Sequence, residues 1–454
     1  MNQPMNILLV TADDMDGATP GCFGGHPAAT PAIDRLAADG MRFNRAHVPI
    51  AVCQPSRSAL LTGRWPHRNG AQGFEPIRPG VPVLTDLLRG AGYMCGILGK
   101  VEHLQPVARF GWDLVRTRDD LGVGRDPGAY AAAAAALFAE AGQQQRPWFL
   151  MANTHDPHRP FHDSEQERAM FDERQRACIP APSKTFGPQD VDVPGYLPDL
   201  PEVRQEIAEY QGSARRCDDV VEALLVALDA AGQRDETLVV FLSDNGMAFP
   251  FAKANCYLQS TRTPLVVRWP GRTRPFSIDK QHFVSGLDLF PTLCEAARVQ
   301  PPPDLDGRSL APLIEGVDDA GRDHIVTTFH ETSARQRFEM RAIQTGRRGY
   351  IWNHWSDGTR HYRAENMTGR TWSAMRDAAD GDPALRARTE FYLHRMPEEF
   401  YDLDTDPHGL HNLIDDPNRA ADIGDLRACL LDHLARTGDP LHETYSVTVG
   451  TWRG

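Results

Sequence analysis

The chain has few cysteines and no long apolar run, which excludes several protein classes. Its eight cysteines are scattered over 454 residues without Cys-x-x-Cys spacing. In a long chain this pattern favours reduced, mostly buried thiols over disulfides or zinc ligands. No segment approaches the roughly 20 apolar residues that a membrane helix needs, and no internal repeat is present. We therefore expect neither a disulfide scaffold nor a membrane protein.

Basic charge is also scarce. Lys and Arg total 48 against 61 Asp and Glu, for a formal net charge of −13. Because a phosphate backbone attracts a basic surface, this balance argues against a nucleic-acid binder. It also repels anionic substrates, so any anion pocket must create its own positive potential.

The first residues lack the features of a secretion signal. Met1 to Asn6 contain no basic residue and run directly into the apolar segment Ile7 to Val10. Neither a long apolar stretch nor a small-residue cleavage site follows. We therefore expect a cytoplasmic protein.

The pattern of apolar residues along the chain predicts a large α/β unit. Ile7 to Val10, Trp148 to Met151 and Leu238 to Leu242 have the apolar pattern of fully buried strands. Helix patterns lie between them, one from Thr30 to Gly40 with proline at its first position and one from about Val203 to Ala231. Strands that alternate with helices indicate a mostly parallel sheet sandwiched by helices.

The pattern changes after about residue 320. Short strands separated by turn residues are predicted within residues 340–352, and a terminal helix over residues 420–437. We predict a catalytic α/β domain over residues 1–325 and a smaller α+β subdomain with an antiparallel sheet over residues 326–454. Residues 157–200, rich in proline and charge, are predicted to form a long surface excursion near the substrate.

Polar residues follow each of the three predicted strands. Asp13 and Asp14 follow the first, His155 the second, and Asp244 and Asn245 the third. Ligands of such sheets bind beyond the carboxyl ends of the strands, so these side chains should lie close together. Carboxylate and amide oxygens suit Ca²⁺ or Mg²⁺ and not a soft metal. Taken singly, each acidic pair is equally compatible with an ordinary loop or turn.

A helix start is predicted at Cys53, with Pro55 in its first turn. A group placed there faces free backbone N–H donors, which favour negative charge. A lone cysteine is more often a small buried apolar residue than a catalyst. The run from Cys53 to Arg57, followed by Leu61 to Gly63, is far more specific than any single residue.

Val52 to Gly63 resembles the signature of the formylglycine-dependent (type I) sulfatases. The resemblance covers nearly the whole chain and implies an alkaline-phosphatase-like sulfatase fold. Further matching segments are Asp13-Asp14, Gly92 to Lys100, Thr154 to His158, Ser243 to Gly246, Tyr401 to Pro407 and Asn412-Leu413.

The resemblance implies that a formylglycine-generating enzyme oxidises Cys53 to an aldehyde after translation. The hydrated aldehyde would bind Ca²⁺, with Mg²⁺ as the alternative, beside the ligands Asp13, Asp14, Asp244 and Asn245. One hydroxyl would attack sulfur, and collapse of the other to the aldehyde would release sulfate.

The same resemblance also implies roles for the basic side chains. Arg57 would hold the hydrated aldehyde, and Lys100 and Lys253 would neutralise sulfate oxygens. His103 would assist the proton chemistry of the nucleophile, and His155 would protonate the leaving atom.

Two positions depart from the common pattern. Lys100 and His103 have the Lys-x-x-His spacing of the iduronate-sulfatase variant, whereas much of the family has Lys-x-His. Lys253 is matched mainly by its distance after Asp244 and Asn245, and a solvated surface lysine is the alternative interpretation.

Two stretches resemble the N-sulfoglucosamine sulfohydrolases, which cleave the N–S bond of heparan-type glucosamine. They are Thr154 to Arg159 and Ser243 to Pro250. From this likeness we expect His158, His330 and Glu331 to contact the sugar. A surface loop is the alternative interpretation for the histidines.

The sequence thus predicts a Ca²⁺-dependent, formylglycine-dependent sulfohydrolase acting on a small sulfated or N-sulfated sugar. A phosphonate monoester or phosphodiester hydrolase with the same nucleophile and metal site is the first alternative. An aryl or alkyl O-sulfatase and a catalytically silent binder of sulfated glycans are the others. A homo-oligomer is compatible with all four hypotheses.

Overall fold

The computed structural model describes residues 4–452. Its strands are β1 (Asn6–Ala12), β2 (Met41–Phe43), β3 (Ala46–His47), β4 (Met94–Leu98), β5 (Leu114–Arg116), β6 (Trp148–Asn153), β7 (Thr237–Ser243), β8 (Leu265–Arg268), β9 (Ser277–Asp279), β10 (Val284–Ser285), β11 (His324–Glu331), β12 (Arg337–Thr345), β13 (Arg348–Asn353) and β14 (Glu398–Asp402). Its α-helices are α1 (Pro31–Ala38), α2 (Cys53–Thr62), α3 (Pro66–Asn69), α4 (Leu84–Gly90), α5 (Pro127–Gln143), α6 (Glu165–Met170), α7 (Glu173–Ala177), α8 (Pro201–Ala230), α9 (Leu258–Thr261), α10 (Leu289–Ala296), α11 (Ala311–Ile314), α12 (Arg370–Ala378), α13 (Pro383–His394), α14 (Ala420–Thr437) and α15 (His442–Trp452). Met1 to Gln3, on which the expectation about secretion partly rests, lie outside the described residues.

The large sheet has eight strands in the order β5-β4-β6-β1-β7-β8-β2-β9. Its neighbours run parallel except at β8, which is antiparallel to both β7 and β2. The predicted mostly parallel sheet is therefore confirmed. Within residues 4–452, no helix combines the length and the apolar character that crossing a membrane requires.

Strand β1 lies at the centre of the sheet and is buried on both faces. Because successive side chains of a strand point to opposite faces, its apolar run divides between two cores. Ile7 and Leu9 belong to the core that includes side chains of α2, α4 and α10. Leu8 and Val10 belong to the core that includes side chains of α1, α5 and α8. Fully burying such a side chain contributes roughly 1.5–3 kcal/mol, so the continuous apolar run itself specifies the sandwich.

A smaller antiparallel sheet of four strands, in the order β11-β12-β13-β14, forms the C-terminal part. One face packs on α14, where Ile343 and Phe400 meet Leu426 and Leu430. The other face shares a core with the segment after β7, which includes Phe249. The strands predicted within residues 340–352 and the terminal helix are confirmed. The domain boundary at residue 325 stays a prediction, and β11 begins at His324.

Residues 157–200 form a long excursion that carries the short helices α6 and α7. It is anchored and not wholly superficial, because Phe161, Val191 and Tyr196 are buried in the core shared with α8. Its first residues follow β6 and so begin at the carboxyl edge of the large sheet.

Candidate active site

The carboxyl ends of β6, β1 and β7 meet at one edge of the sheet. In the register of these strands, Thr11 lies opposite Asn153 and Ala12 lies opposite Ser243. The residues that follow each strand are therefore brought together, as predicted. Asp13, Asp14, Asp244 and Asn245 are all at most 3% exposed.

Four of these side chains form a compact group of potential metal ligands. One oxygen each of Asp13, Asp14 and Asp244 and the sulfur of Cys53 lie within 4.8 Å of one another. Asn245 Oδ1 has no hydrogen-bond partner, and Asp13 has ion contacts with Lys100 and Arg57 but accepts no hydrogen bond of good geometry. Buried oxygens without donors are costly unless a cation satisfies them. This donor set fits a hard divalent ion such as Ca²⁺ or Mg²⁺.

Two lysines contact the carboxylates of this group. The ammonium of Lys100 contacts Asp13, and Lys253 Nζ lies 2.8 Å from Asp14 Oδ1. Burial alone would raise the pKa of Asp13, but Lys100 and the other nearby cations outweigh it and hold that pKa well below its usual value. Lys253 is 1% exposed, which excludes the alternative that it is a solvated surface lysine.

Arg57 connects the ends of three strands to helix α2. Its Nη1 donates to Thr11 Oγ1 at 2.7 Å and to Asn153 Oδ1 at 2.5 Å, and its Nη2 donates to Asp244 Oδ2 at 2.7 Å. Burial raises the pKa of Asp244, and Arg57 offsets this only in part because Asp13 also raises it. The formal negative charge of the three carboxylates is equal to the formal positive charge of Arg57, Lys100 and Lys253. A divalent ion would therefore make the site positive, as an anionic ligand requires.

Cys53 is the first residue of α2, which confirms the predicted helix start. Its sulfur accepts a hydrogen bond from Lys253 Nζ at 3.3 Å and donates to Asp14 Oδ1 at 3.9 Å. Burial raises the pKa of the Cys53 thiol well above its usual value, and Asp13 raises it further despite the lowering effect of Lys253. The unmodified thiol is thus protonated at neutral pH, which makes it a poor nucleophile.

Three histidines border the group of carboxylates. His158 Nε2 lies 3.8 Å from Asp14 Oδ2. His155 and His103 each have an Nδ1 without a hydrogen-bond partner, and the edge of His103 packs against Phe74 at a centroid distance of 6.2 Å. Burial lowers the pKa of all three, and Lys100 adds to the effect at His103 and His155. At all three rings these effects favour the neutral imidazole.

The loop that carries His155 is held by buried charge. Asp156 accepts hydrogen bonds from Arg125 Nε at 3.1 Å and from Arg216 Nε at 2.6 Å. The backbone N–H of His155 donates to the carbonyl of Gly124 at 3.0 Å. Arg125 and Gly124 come from the segment before α5 and Arg216 from α8, so distant parts of the chain fix this loop.

The C-terminal part contributes to the same site. Glu365 Oε1 lies 3.8 Å from Lys253 Nζ, and Asn366 Nδ2 donates to the backbone carbonyl of Lys253 at 2.5 Å. These two residues were missed from the sequence, as were Arg125 and Arg216, because no local pattern distinguishes them. Thr11 and Asn153 were also missed, although each is a polar residue inside an otherwise apolar strand, a signal that could have identified them.

His330 and Glu331 end β11 and lie in different surroundings. Glu331 borders the loop of Phe74, whose N–H lies 3.4 Å from Glu331 Oε1. His330 is 1% exposed, and burial lowers its pKa, with smaller effects from Arg341, His67 and Arg337. The surface-loop alternative therefore does not hold for His330, and its contact with a sugar stays a prediction.

Comparison with known proteins identifies the family. Residues 5–299 match the family model described as Sulfatase. The chain belongs to the sulfatase family. Residues 248–359 of this sulfatase also match the model described as N-sulphoglucosamine sulphohydrolase, C-terminal. Human N-sulphoglucosamine sulphohydrolase is 30% identical over 468 residues, which span 96% of this chain and 91% of the human protein.

Solved structures share the fold of this sulfatase at low identity. A protein described in complex with its substrate D-glucosamine-2-N,6-O-disulfate matches with a TM-score of 0.70 and 18% identity, over 96% of this chain and 99% of that one. The phosphonate monoester hydrolase of Agrobacterium radiobacter matches with a TM-score of 0.68 and 21% identity, over 95% and 96%. The predicted family and fold class are confirmed, and the sulfatase is a hydrolytic enzyme.

Proposed function

We propose that this sulfatase releases inorganic sulfate from a sulfated or N-sulfated sugar, with a nucleophile made from Cys53. The observation that carries the proposal is the position of Cys53, whose sulfur shares one buried cluster with three carboxylates and Lys253. Such a cluster pairs a nucleophile with a cation site and with donors for anionic oxygens, the parts that sulfate transfer needs.

The environment of Cys53 favours a modified residue over a thiol. Surrounding carboxylates and burial keep the pKa of the thiol high, so a thiolate nucleophile is disfavoured. Formylglycine, made by a formylglycine-generating enzyme, would add one water to its aldehyde and so present two hydroxyls on one carbon. One hydroxyl would attack sulfur and displace the leaving group, and loss of the proton of the other would reform the aldehyde and expel sulfate. Arg57, one helical turn along α2, holds Asp244 at 2.7 Å and borders the same position.

The charged residues have complementary tasks in this proposal. Asp13, Asp14, Asp244 and Asn245 would hold Ca²⁺, which would polarise the sulfate oxygens and offset the carboxylate charge. Lys100 and Lys253 are buried and already paired with these carboxylates, so they would meet the anion without reorganising.

His155 is the candidate proton donor to the leaving oxygen or nitrogen. Its ring is buried and its pKa is lowered, chiefly by burial and then by Lys100. An anionic sulfate beside the ring favours the protonated imidazole, so binding of the substrate would itself promote protonation of His155. The leaving group then departs as a neutral alcohol or amine.

An amino sugar is the substrate class that the relatives support best. The match of residues 248–359 to the N-sulphoglucosamine sulphohydrolase C-terminal model and the 30% identity to the human protein both favour it. The phosphonate hydrolase likeness concerns the fold alone, so we keep this activity as an outcome of the test.

The test combines peptide mass spectrometry with a substrate panel. The protein is produced in a host with the maturation machinery, and the peptide containing residue 53 should carry the aldehyde. Released sulfate is then measured from glucosamine N-sulfate, glucosamine 6-sulfate and an aryl sulfate, beside an aryl phosphonate ester. We expect the highest kcat/KM on a sulfated amino sugar. Turnover with only thiol at position 53 would refute the nucleophile, and a preference for the phosphonate ester would refute the substrate class.

A further inference from the structure

Glu365 places a carboxylate beside the ammonium of Lys253. Its Oε1 lies 3.8 Å from Lys253 Nζ, and its Oε2 accepts a hydrogen bond from Ser333 Oγ at 2.9 Å. The Glu365 side chain is 23% exposed, whereas those of Asp13 and Asp14 are fully buried. Glu365 is therefore a carboxylate beside this cluster that a ligand arriving from solvent can contact.

The backbone around Glu365 is fixed to the segment of Lys253. Asn366 Nδ2 donates to the carbonyl of Lys253 at 2.5 Å, and the hydroxyl of Tyr362 donates to the carbonyl of Ala254. Thr368 Oγ1 donates to the carbonyl of Glu365 at 2.7 Å. The position of the carboxylate relative to Lys253 is thus built into the fold and is not an accident of a free side chain.

A carboxylate at this place is unfavourable for an anion alone. A sulfate held by Lys253 lies within reach of the negative charge of Glu365, and like charges at short range in a poorly solvated site repel strongly. An ionised carboxylate is only an acceptor, so a hydroxyl or ammonium donor on the substrate can satisfy it. Sugars offer such donors next to the sulfate, whereas the ring of a simple aryl sulfate offers none.

We propose that Glu365 is a specificity-determining residue that selects sulfate esters or sulfamates of polyhydroxylated or amino sugars over aryl sulfates. It accepts a hydrogen bond from a hydroxyl or ammonium of the group that bears the sulfate. Without that donor, its charge repels the substrate. This inference rests on the proposed function, since it concerns the choice of substrate at the same site.

The test compares Glu365→Gln with the wild type on two substrates, using enzyme with residue 53 converted. The glutamine keeps the shape and removes the charge. We expect kcat/KM on glucosamine 6-sulfate to fall by about 10-fold to 100-fold, the loss of a charge-assisted hydrogen bond. On an aryl sulfate, kcat/KM should stay constant or rise, because the repulsion is gone. The loss should therefore be confined to the sugar substrate, which a general loss of activity cannot produce.

Two further variants control the experiment. Ser333→Ala removes the hydroxyl that holds Glu365 Oε2 and should lower the preference for the sugar by less than Glu365→Gln. Glu390→Gln changes an exposed glutamate on α13 and should leave both rates unchanged.

Three results would overturn the inference. Equal losses of Glu365→Gln on both substrates would mean that Glu365 only positions Lys253. Unchanged kcat/KM values on both substrates would mean that Glu365 has no part in selection. Failure of the converted wild type to release sulfate from any substrate would overturn the proposed function together with this inference, whereas the first two results leave the proposed function intact.

Discussion

The cluster of carboxylates and the three histidines beside it are built in opposite ways. The carboxylates follow central strands and are fully buried, and Asp13, Asp14 and Asp244 are each in contact with a lysine or arginine. His155 lies on a loop and His103 ends a short 3-10 helix, and the Nδ1 of each ring has no hydrogen-bond partner. The first region is organised to hold fixed charge, and the second to change its hydrogen bonds when a ligand arrives.

Because the two regions differ, substitutions of the carboxylates and substitutions of the histidines should affect activity in different ways. Loss of a carboxylate or of Cys53 should remove activity on every substrate, because the cation or the nucleophile is lost. Loss of His155 should affect only those substrates that need a proton at the leaving atom.

The largest effect is expected for Cys53→Ala. Without a nucleophile at this position, sulfate release should fall by at least about 10⁴-fold on all substrates, with an unchanged melting temperature. Cys294→Ala makes the same chemical change at a buried cysteine of the α10 core and should keep the activity. Substantial turnover by Cys53→Ala would show that the nucleophile lies elsewhere.

The second largest loss of activity is expected for Asp244→Ala. It removes one oxygen of the cluster and the 2.7 Å partner of Arg57, so Ca²⁺ affinity and activity should be lost together. Wild-type protein should melt several degrees higher with Ca²⁺ than with a chelator, since an ion that binds only the folded state stabilises it. Asp244→Ala should lack this shift, measured by calorimetry.

A buried carboxylate far from the cluster provides the control for Asp244→Ala. Asp218 accepts hydrogen bonds from the N–H groups of Ala32 and Ile33 at the start of α1. Asp218→Asn should lower the melting temperature and retain the Ca²⁺ shift. If Asp244→Ala retains the shift as well, the cluster does not hold the ion.

His155→Ala is the most direct test of the difference between the carboxylates and the histidines. Sulfate release from substrates with poor leaving groups should fall by roughly 10²-fold to 10⁴-fold, because these need a proton in the transition state. An activated aryl sulfate should lose far less. Comparable losses on both substrates would exclude His155 as the acid and would make the histidines part of the same fixed machinery as the carboxylates.

The smallest effect is expected for Gly124→Ala. A Cβ at this residue, whose φ is +74°, would lie 2.1 Å from His155 Nδ1 and would push the ring away. A misplacement near 1 Å can cost about 10²-fold, so we expect a loss of 10-fold to 100-fold, again restricted to poor leaving groups. Gly92→Ala, at φ +89° with open space around it, carries similar backbone strain without the clash. Equal losses in the two variants would attribute the effect to strain and not to His155.

The carboxylate cluster was predictable from the sequence because each of its members follows an apolar strand. The same holds for Cys53, whose helix start is encoded in five consecutive residues. Lys253 was identified only by its distance along the chain, and its burial could not be inferred. Glu365, by contrast, reaches the site from the C-terminal part, and nothing in its neighbourhood distinguishes it from a surface glutamate.

The sequence by itself determined the family, the sheet with its helices, and the oxygen-bearing side chains that meet at the edge of the large sheet. Strand periodicity and local motifs are short-range properties, so they can be read residue by residue. Only the tertiary structure decided the partners of the buried charged side chains. Arg57 donates hydrogen bonds to Thr11, Asn153 and Asp244. Arg125 and Arg216 both donate to Asp156, and Glu365 lies beside Lys253. These pairings join residues that are separated along the chain, and they exist because helices and loops pack at the edge of the large sheet and bring their polar side chains together.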